Sequence, residues 1–173
     1  GEVVHFGVCE DGTLDYEDLE RKLQAHRVKL VAVTGASNVT GYLTDVPRIA
    51  RLAHAHGARI LVDAAQQLAH SPVRVLPKDD PGHIDFLAGA GHKAYAPFGS
   101  SFLYGPVALL DQAPPYIPAG GTVVYVTERE AFFKGSPDRH QGGTPNIAGA
   151  VAFAAALRFL EDVGMEDVRA HER

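Results

Sequence analysis

The chain has 173 residues, with 16 Lys and Arg against 21 Asp and Glu, which gives a formal net charge of -5. Apolar residues make up 46% and charged residues 21%, as in an average globular domain, so intrinsic disorder is excluded. The acidic balance argues against nucleic acid or an anionic membrane surface as the main partner. No apolar run approaches the roughly 20 residues of a membrane-spanning helix. The single cysteine, Cys9, excludes an internal disulfide and favours a cytoplasmic setting.

The first half of the chain alternates between helical and strand patterns. Apolar residues at helical spacing predict helices over Asp15–His26 and Val46–His56, and Asp15 itself is a suitable N-cap. Short apolar runs rich in β-branched residues predict buried strands over Val28–Thr34 and Arg59–Asp63. Strands that alternate with helices are typical of βαβ units and a parallel sheet.

The second half continues the alternation. Short strands are predicted over Ile84–Ala88 and Ser101–Tyr104, and a long Ala-rich helix over Asn146–Val163. A further helix begins near Met165, and the sequence ends within its pattern, so we expect a piece of a longer protein. Together these elements predict an α/β fold with a central, mainly parallel sheet and helices on both faces.

Chemically useful side chains follow three of the predicted strands. They lie in Ser37-Asn38, Asp63–Gln66 and Gly89–Lys93, and they supply two amides, a carboxylate, an imidazole and an amine. Open parallel sheets bind ligands at the carboxyl ends of their strands, so these groups are expected to share one site. Such a set suits a flat, anionic ring that contains nitrogen.

Asp63 and Lys93 each have a simpler interpretation. Asp63 follows a buried strand, where a carboxylate needs a partner, but it equally suits a cap of the next turn. Lys93 lies in a Gly-rich, apolar neighbourhood, where desolvation lowers the pKa of an amine, but it is alternatively an exposed loop lysine. The combination of the two residues favours a functional site.

Four segments carry a resemblance to a known family. They resemble the class V aminotransferase group of fold-type I pyridoxal-phosphate enzymes, which includes cysteine desulfurases and selenocysteine lyases, and they occur in the same order at compatible spacing. The segments are SNVTG (37–41), VDAAQ (62–66), AGHKAYAPFG (90–99) and GGTPNIAG (142–149). The resemblance implies pyridoxal 5'-phosphate as cofactor and an incomplete fold-type I large domain.

The resemblance also implies roles for individual residues. Lys93 resembles the catalytic lysine that forms the Schiff base with the cofactor. Asp63 resembles the partner of the pyridinium nitrogen, which makes the ring an electron sink. Gln66 resembles the amide that binds the phenolic oxygen of the ring.

Three further residues complete the implied cofactor site. His92 resembles a ligand of the cofactor phosphate. Asn38 resembles the amide near the phenolic oxygen and the substrate. Thr144 resembles a phosphate ligand that reaches across a dimer interface, which implies a homodimer.

The resemblance has one departure and a domain consequence. Ala90 occupies the position of the serine that is usual in desulfurases, so one phosphate hydroxyl is lost and the reaction subtype is less defined. By resemblance, residues 1–163 belong to the large cofactor-binding domain, and residues 164–173 begin the helix that leads to a small C-terminal domain.

The functional hypotheses differ in class. The first is a cysteine desulfurase- or selenocysteine lyase-like reaction on a small amino acid, and an aminotransferase or epimerase of the same group is the alternative. A non-catalytic α/β scaffold is a second alternative, and an unrelated nucleotide-binding domain a third. Other family elements are expected outside these 173 residues, so we expect the isolated segment to show little or no turnover.

No metal site is predicted. His54 and His56 are two residues apart on a predicted helix, so their side chains point to different faces, and His83 stands isolated in the sequence.

Overall fold

The computed structural model describes residues 1–172. Five α-helices and six strands follow one another in chain order. The helices are α1 (Tyr16–Ala25), α2 (Val46–Ala55), α3 (Val107–Leu110), α4 (Ile147–Val163) and α5 (Met165–His171). The strands are β1 (Leu30–Thr34), β2 (Arg59–Asp63), β3 (Phe86–Ala90), β4 (Ser101–Tyr104), β5 (Val123–Val126) and β6 (Ala131–Phe133).

The first four strands form one sheet in the order β1-β2-β3-β4. β1, β2 and β3 are parallel, and β4 runs antiparallel to β3. The predicted α/β fold with a mainly parallel sheet is therefore confirmed. β5 and β6 form a separate antiparallel hairpin, for which the sequence analysis predicted no element.

The main core lies between this sheet and the helices α1 and α2. Alternate side chains of the strands, including Val31, Ile60 and Leu87, pack against Leu19 of α1 and Ile49 of α2. Because successive strand residues point to opposite faces, the alternate positions of β1 are exposed. The buried face of the sheet thus holds α1 and α2 against the strands.

Local signals account for the helix starts. The Asp15 carboxylate accepts a hydrogen bond from the Asp18 N–H at 2.8 Å, which confirms its predicted role as N-cap. Asp45 caps α2 in the same way, through the Arg48 N–H. The predicted helix boundaries lie within one residue of those observed for α1, α2 and α4.

The third strand begins two residues later than predicted, at Phe86 rather than Ile84. Asp85 does not enter the strand, because its carboxylate accepts the Ile60 N–H at 2.9 Å and contacts His54. At its other end the strand continues through Gly89 and Ala90, because both pair with β4.

Two histidines and an aspartate meet at the amino-terminal edge of β2 and β3. We call His54, His83 and Asp85 the histidine cluster. The two imidazole rings stack 4.3 Å apart, so His83, which stands isolated in the sequence, has a histidine partner in the fold. Burial disfavours the charged carboxylate, but the hydrogen bonds from His54 and Ile60 outweigh it and lower the pKa of Asp85.

Candidate active site

The parallel pairing brings three strand ends to one edge of the sheet. In the observed register Thr34 of β1 lies beside Asp63 of β2, and Asp63 lies beside Ala88 of β3. The segments that leave these strands carry Asn38, Gln66 and, two residues beyond the end of β3, His92. The register therefore places the three segments at one edge of the sheet, as the sequence analysis predicts.

Asp63 ends β2 with an exposed side chain. Its Oδ1 accepts the Ala65 N–H at 2.9 Å, so the residue does cap the turn that follows. Within residues 1–172, Oδ2 has no hydrogen-bond partner. One oxygen of the carboxylate thus orders the turn while the other is free to bind a ligand.

Lys93 lies on a short 3-10 turn, Gly91–Ala94, which we call the lysine turn. Ala94 is fully buried and packs in a second core with Phe153 and Leu160 of α4. His92 and Lys93 are exposed, so the expectation of a desolvated amine is not met within this chain. The turn is anchored on one side and presents the amine and the imidazole on the other.

The backbone on both sides of the lysine turn is tightly packed. The Gly91 N–H donates to the Ser100 carbonyl oxygen at 2.6 Å, and a Cβ at Gly91 would lie 2.7 Å from that oxygen. A side chain at this position therefore has no space. Tyr95 closes the turn in the left-handed region, with φ of 64°, and its ring contacts Phe159 edge to face. The His92 ring stacks on Phe98 at 5.1 Å.

Asn38 and Gln66 line one common cavity of about 430 Å³. Ser37, the neighbour of Asn38, accepts hydrogen bonds from the Val39 and Thr40 N–H groups, which orders this loop. Farther along, the hydroxyl groups of Tyr16 and Tyr42 lie 3.1 Å apart, and this hydrogen bond raises the pKa of Tyr42 to about 12. Tyr42 therefore stays protonated at neutral pH and is no candidate base.

The same cavity contains a residue that the sequence analysis missed. Arg169 of α5 lines it, and its Nε is buried without a hydrogen-bond partner within residues 1–172. α5 folds back over the segment after β2, where Glu172 contacts His70 at 2.8 Å and Glu166 contacts Arg74 at 3.1 Å. Only the chain path places this arginine near Asn38, so no local pattern indicated it.

Thr144 lies elsewhere. It is exposed and lines a larger cavity of about 1080 Å³ between β4, α4 and the segment around Tyr116. Asp63, His92 and Lys93 line neither of the two cavities. The chain therefore brings Asn38 and Gln66 together, orders Asp63 and Lys93 at the same sheet edge, and places Thr144 in a different cavity from Asn38.

The comparison with protein families is decisive for classification. Residues 1–173, the whole chain, match the model of the family described as aminotransferase class-V. The chain belongs to this family. The resemblance stated from its four motifs is thus confirmed.

Two relatives of this chain are named as cysteine desulfurases. A protein named "Probable cysteine desulfurase" from Halalkalibacterium halodurans is 39% identical over 163 residues, which are 94% of this chain and 39% of the relative. A "Cysteine desulfurase" of Haloferax volcanii is also 39% identical, over 99% of this chain and 39% of its own length. The chain therefore spans about two fifths of these relatives.

Solved structures agree with the fold. The cysteine desulfurase of Thermococcus onnurineus superposes with a TM-score of 0.83 at 35% identity, over 94% of this chain and 40% of that one. The cysteine desulfurase CsdA of Escherichia coli gives a TM-score of 0.80 at 32% identity, over 92% and 39% of the two chains. The class-V chain thus has the architecture of one part of these enzymes.

We expect Gly91→Ala to destabilise the chain by about 1–3 kcal/mol, because the new methyl group overlaps the Ser100 carbonyl oxygen. Urea denaturation followed by circular dichroism measures the loss in the free energy of unfolding. Gly120→Ala is the matched control, because a Cβ there meets no atom within 4 Å. Equal stability of the two variants would show that the lysine turn tolerates displacement.

Proposed function

We propose that this chain is the cofactor-anchoring part of a pyridoxal-phosphate enzyme with a cysteine desulfurase-like reaction. The observation that carries the proposal is the position of Lys93: an ordered turn presents its amine at the sheet edge that also carries the Asp63 carboxylate. The family membership and the relatives named as cysteine desulfurases support the reaction class.

The donor groups fit pyridoxal phosphate. An exposed primary amine suits its aldehyde, and the free Oδ2 of Asp63 suits its protonated ring nitrogen. When bound, the cofactor supplies an electron sink for negative charge at the α-carbon of an amino acid. Because Gly91 has no side chain, β4 packs directly against the lysine turn. This contact fixes the position from which the Lys93 side chain extends.

We assign the residues as follows. Asp63 keeps the ring nitrogen protonated through a charge-assisted hydrogen bond. Asn38 and Gln66, which share one cavity, bind the phenolic oxygen with their amide N–H groups. His92 binds the phosphate. Lys93 anchors the cofactor and moves protons at the α- and β-carbons of the substrate.

Thr144 completes the phosphate site from a second copy of the chain. Its position outside the Asn38 cavity supports this assignment, because within one copy of the chain Thr144 lines a different cavity. Tyr116 and Ile117, which are 97% and 66% exposed, line the same surface cavity as Thr144. Exposed apolar side chains of this size favour a protein interface, here that of a homodimer.

The proposal also includes the domain boundaries, the cellular location and the partners of the enzyme. We assign residues 1–163 to the large domain and residues 164–173 to the start of a connection to a small domain. The protein acts in the cytoplasm on a small amino acid, without nucleic acid or membrane as a partner. None of the helices in residues 1–172 has the length and apolar character needed to cross a membrane.

Lys93→Ala is expected to abolish covalent attachment of the cofactor. Incubation with pyridoxal phosphate, borohydride reduction, digestion and mass spectrometry locate the modified lysine, which is Lys93 in the unaltered chain. Lys78→Ala, at an exposed loop position, is the matched control and retains the adduct. Adducts scattered over several lysines, unchanged by Lys93→Ala, would contradict the assignment.

Asp63→Asn is expected to weaken pyridoxal-phosphate binding about 10- to 100-fold, since a hydrogen bond to a charged group contributes about 1.5–3 kcal/mol. An absorbance titration of the cofactor with the chain measures the dissociation constant. Asp79→Asn, at an exposed loop position, serves as the charge-matched control with unchanged affinity. The same loss in both variants would mean that net charge, and not Asp63, determines binding.

The reaction class is tested on the complete protein that carries this chain. With cysteine and a thiol reductant, we expect equimolar alanine and sulfide, which chromatography and a sulfide assay quantify. A keto acid as the product would identify an aminotransferase, and racemised cysteine an epimerase. The Lys93→Ala variant is the control and forms no product.

A further inference from the structure

We propose that the histidine cluster is a binding site for one divalent transition-metal ion of the zinc class. The cluster consists of His54 on α2, His83 in the segment before β3, and Asp85 directly before that strand. One nitrogen of each ring and a carboxylate oxygen all lie within 4.8 Å of one another. The sequence analysis paired His54 only with His56, which is exposed at the C-cap of α2, and so did not anticipate this site.

In both histidine rings, the nitrogen that points away from the Asp85 carboxylate makes a hydrogen bond to a backbone carbonyl oxygen. Nδ1 of His54 lies 2.7 Å from the Pro81 carbonyl oxygen, and Nδ1 of His83 lies 2.7 Å from that of Asp80. A carbonyl oxygen only accepts, so each Nδ1 carries the hydrogen. A bound metal ion displaces to solvent the Nε2 proton that His54 shares with the Asp85 carboxylate, and each neutral ring then binds the ion through its Nε2 lone pair. Metal-binding histidines are typically oriented by this kind of hydrogen bond.

The two Nε2 atoms face the two oxygens of one carboxylate. His54 Nε2 lies 2.9 Å from Asp85 Oδ2, and His83 Nε2 lies 3.7 Å from Oδ1. Ligand atoms around tetrahedral zinc are about 3.3 Å apart, between these two values. In the part of the chain that the structure describes, His83 Nε2 has no hydrogen-bond partner. A cation shared by the three groups would satisfy this nitrogen.

The surroundings leave room for a water molecule beside the three protein ligands. The side chains of His54, His83 and Asp85 are 19%, 18% and 12% exposed, so the cluster is largely buried but still reached by water. The rings stack with an interplanar angle of 22°, and both present their Nε2 edge to the carboxylate. An ion shared by the two Nε2 atoms and a carboxylate oxygen takes water as its fourth ligand.

The donor set selects the class of ion. Two imidazole nitrogens and one carboxylate oxygen match the ligands of zinc and other first-row divalent metals. Magnesium and calcium require mostly oxygen ligands, of which the cluster supplies only the carboxylate.

The position of the cluster indicates a structural role. It joins the carboxyl-terminal end of α2 to the start of β3, and Asp85 also accepts the Ile60 N–H at the start of β2. Asp63 and the lysine turn lie at the opposite edge of the sheet. An ion bound here therefore links helix and strands and raises stability by mass action, without contact with the reacting groups.

Zinc titration of the metal-free chain tests the proposal by isothermal calorimetry, in a Cys9→Ser background that removes the exposed thiol. We expect one zinc ion per chain and no heat of binding with magnesium. His83→Gln weakens zinc binding at least about tenfold, as does Asp85→Asn, because each removes one of three protein ligands. His56→Gln, at the exposed C-cap position of α2, is the matched control with unchanged affinity.

Thermal unfolding supplies a second readout. Saturating zinc is expected to raise the Tm of the unaltered chain and of His56→Gln, but not that of His83→Gln. Circular dichroism of the metal-free His83→Gln variant verifies its fold, and its amide can still donate to the Asp80 carbonyl oxygen. Absence of zinc binding in the unaltered chain, or binding that His83→Gln leaves unchanged, would overturn the proposal.

Discussion

The candidate active site depends on the parallel pairing of β1, β2 and β3. Parallel strands end at the same edge, and here the register sets Thr34, Asp63 and Ala88 side by side. Each following segment therefore starts from a fixed place at that edge. The strand that ends at Asp63 and the strand that leads to Lys93 are therefore neighbours in the sheet, although about thirty residues separate these two side chains in sequence.

The lysine turn adds the second constraint. The antiparallel return of β4 brings Ser100 against Gly91, and Ala94 packs under α4. These contacts hold the backbone while Lys93 and His92 remain exposed, so the amine is positioned by packing and remains accessible. The other groups lie in two cavities: Asn38 and Gln66 line one, and Thr144 lines the other.

Much of this arrangement could be predicted from the sequence. Apolar periodicity identified α1, α2 and α4 and the first two strands, because each buries a face with a local repeat. The start of β3 could not be predicted, because Asp85 is withdrawn from the strand by contacts with His54 and Ile60, which are distant in sequence. The exposure of Lys93 also depends on tertiary packing. The residues beside it in sequence are apolar, but they do not surround its side chain in the folded chain.

By itself the sequence determined the alternation of strands and helices, the N-cap Asp15 and the motifs of the class-V family, because all of these depend on short-range patterns. Tertiary structure alone decided three other features. It turned the lysine amine outward, it placed Arg169 beside Asn38, and it brought His83 onto His54. Each of these three features depends on contacts between segments that are distant in sequence and come together only when the sheet assembles. A local sequence pattern therefore does not predict them.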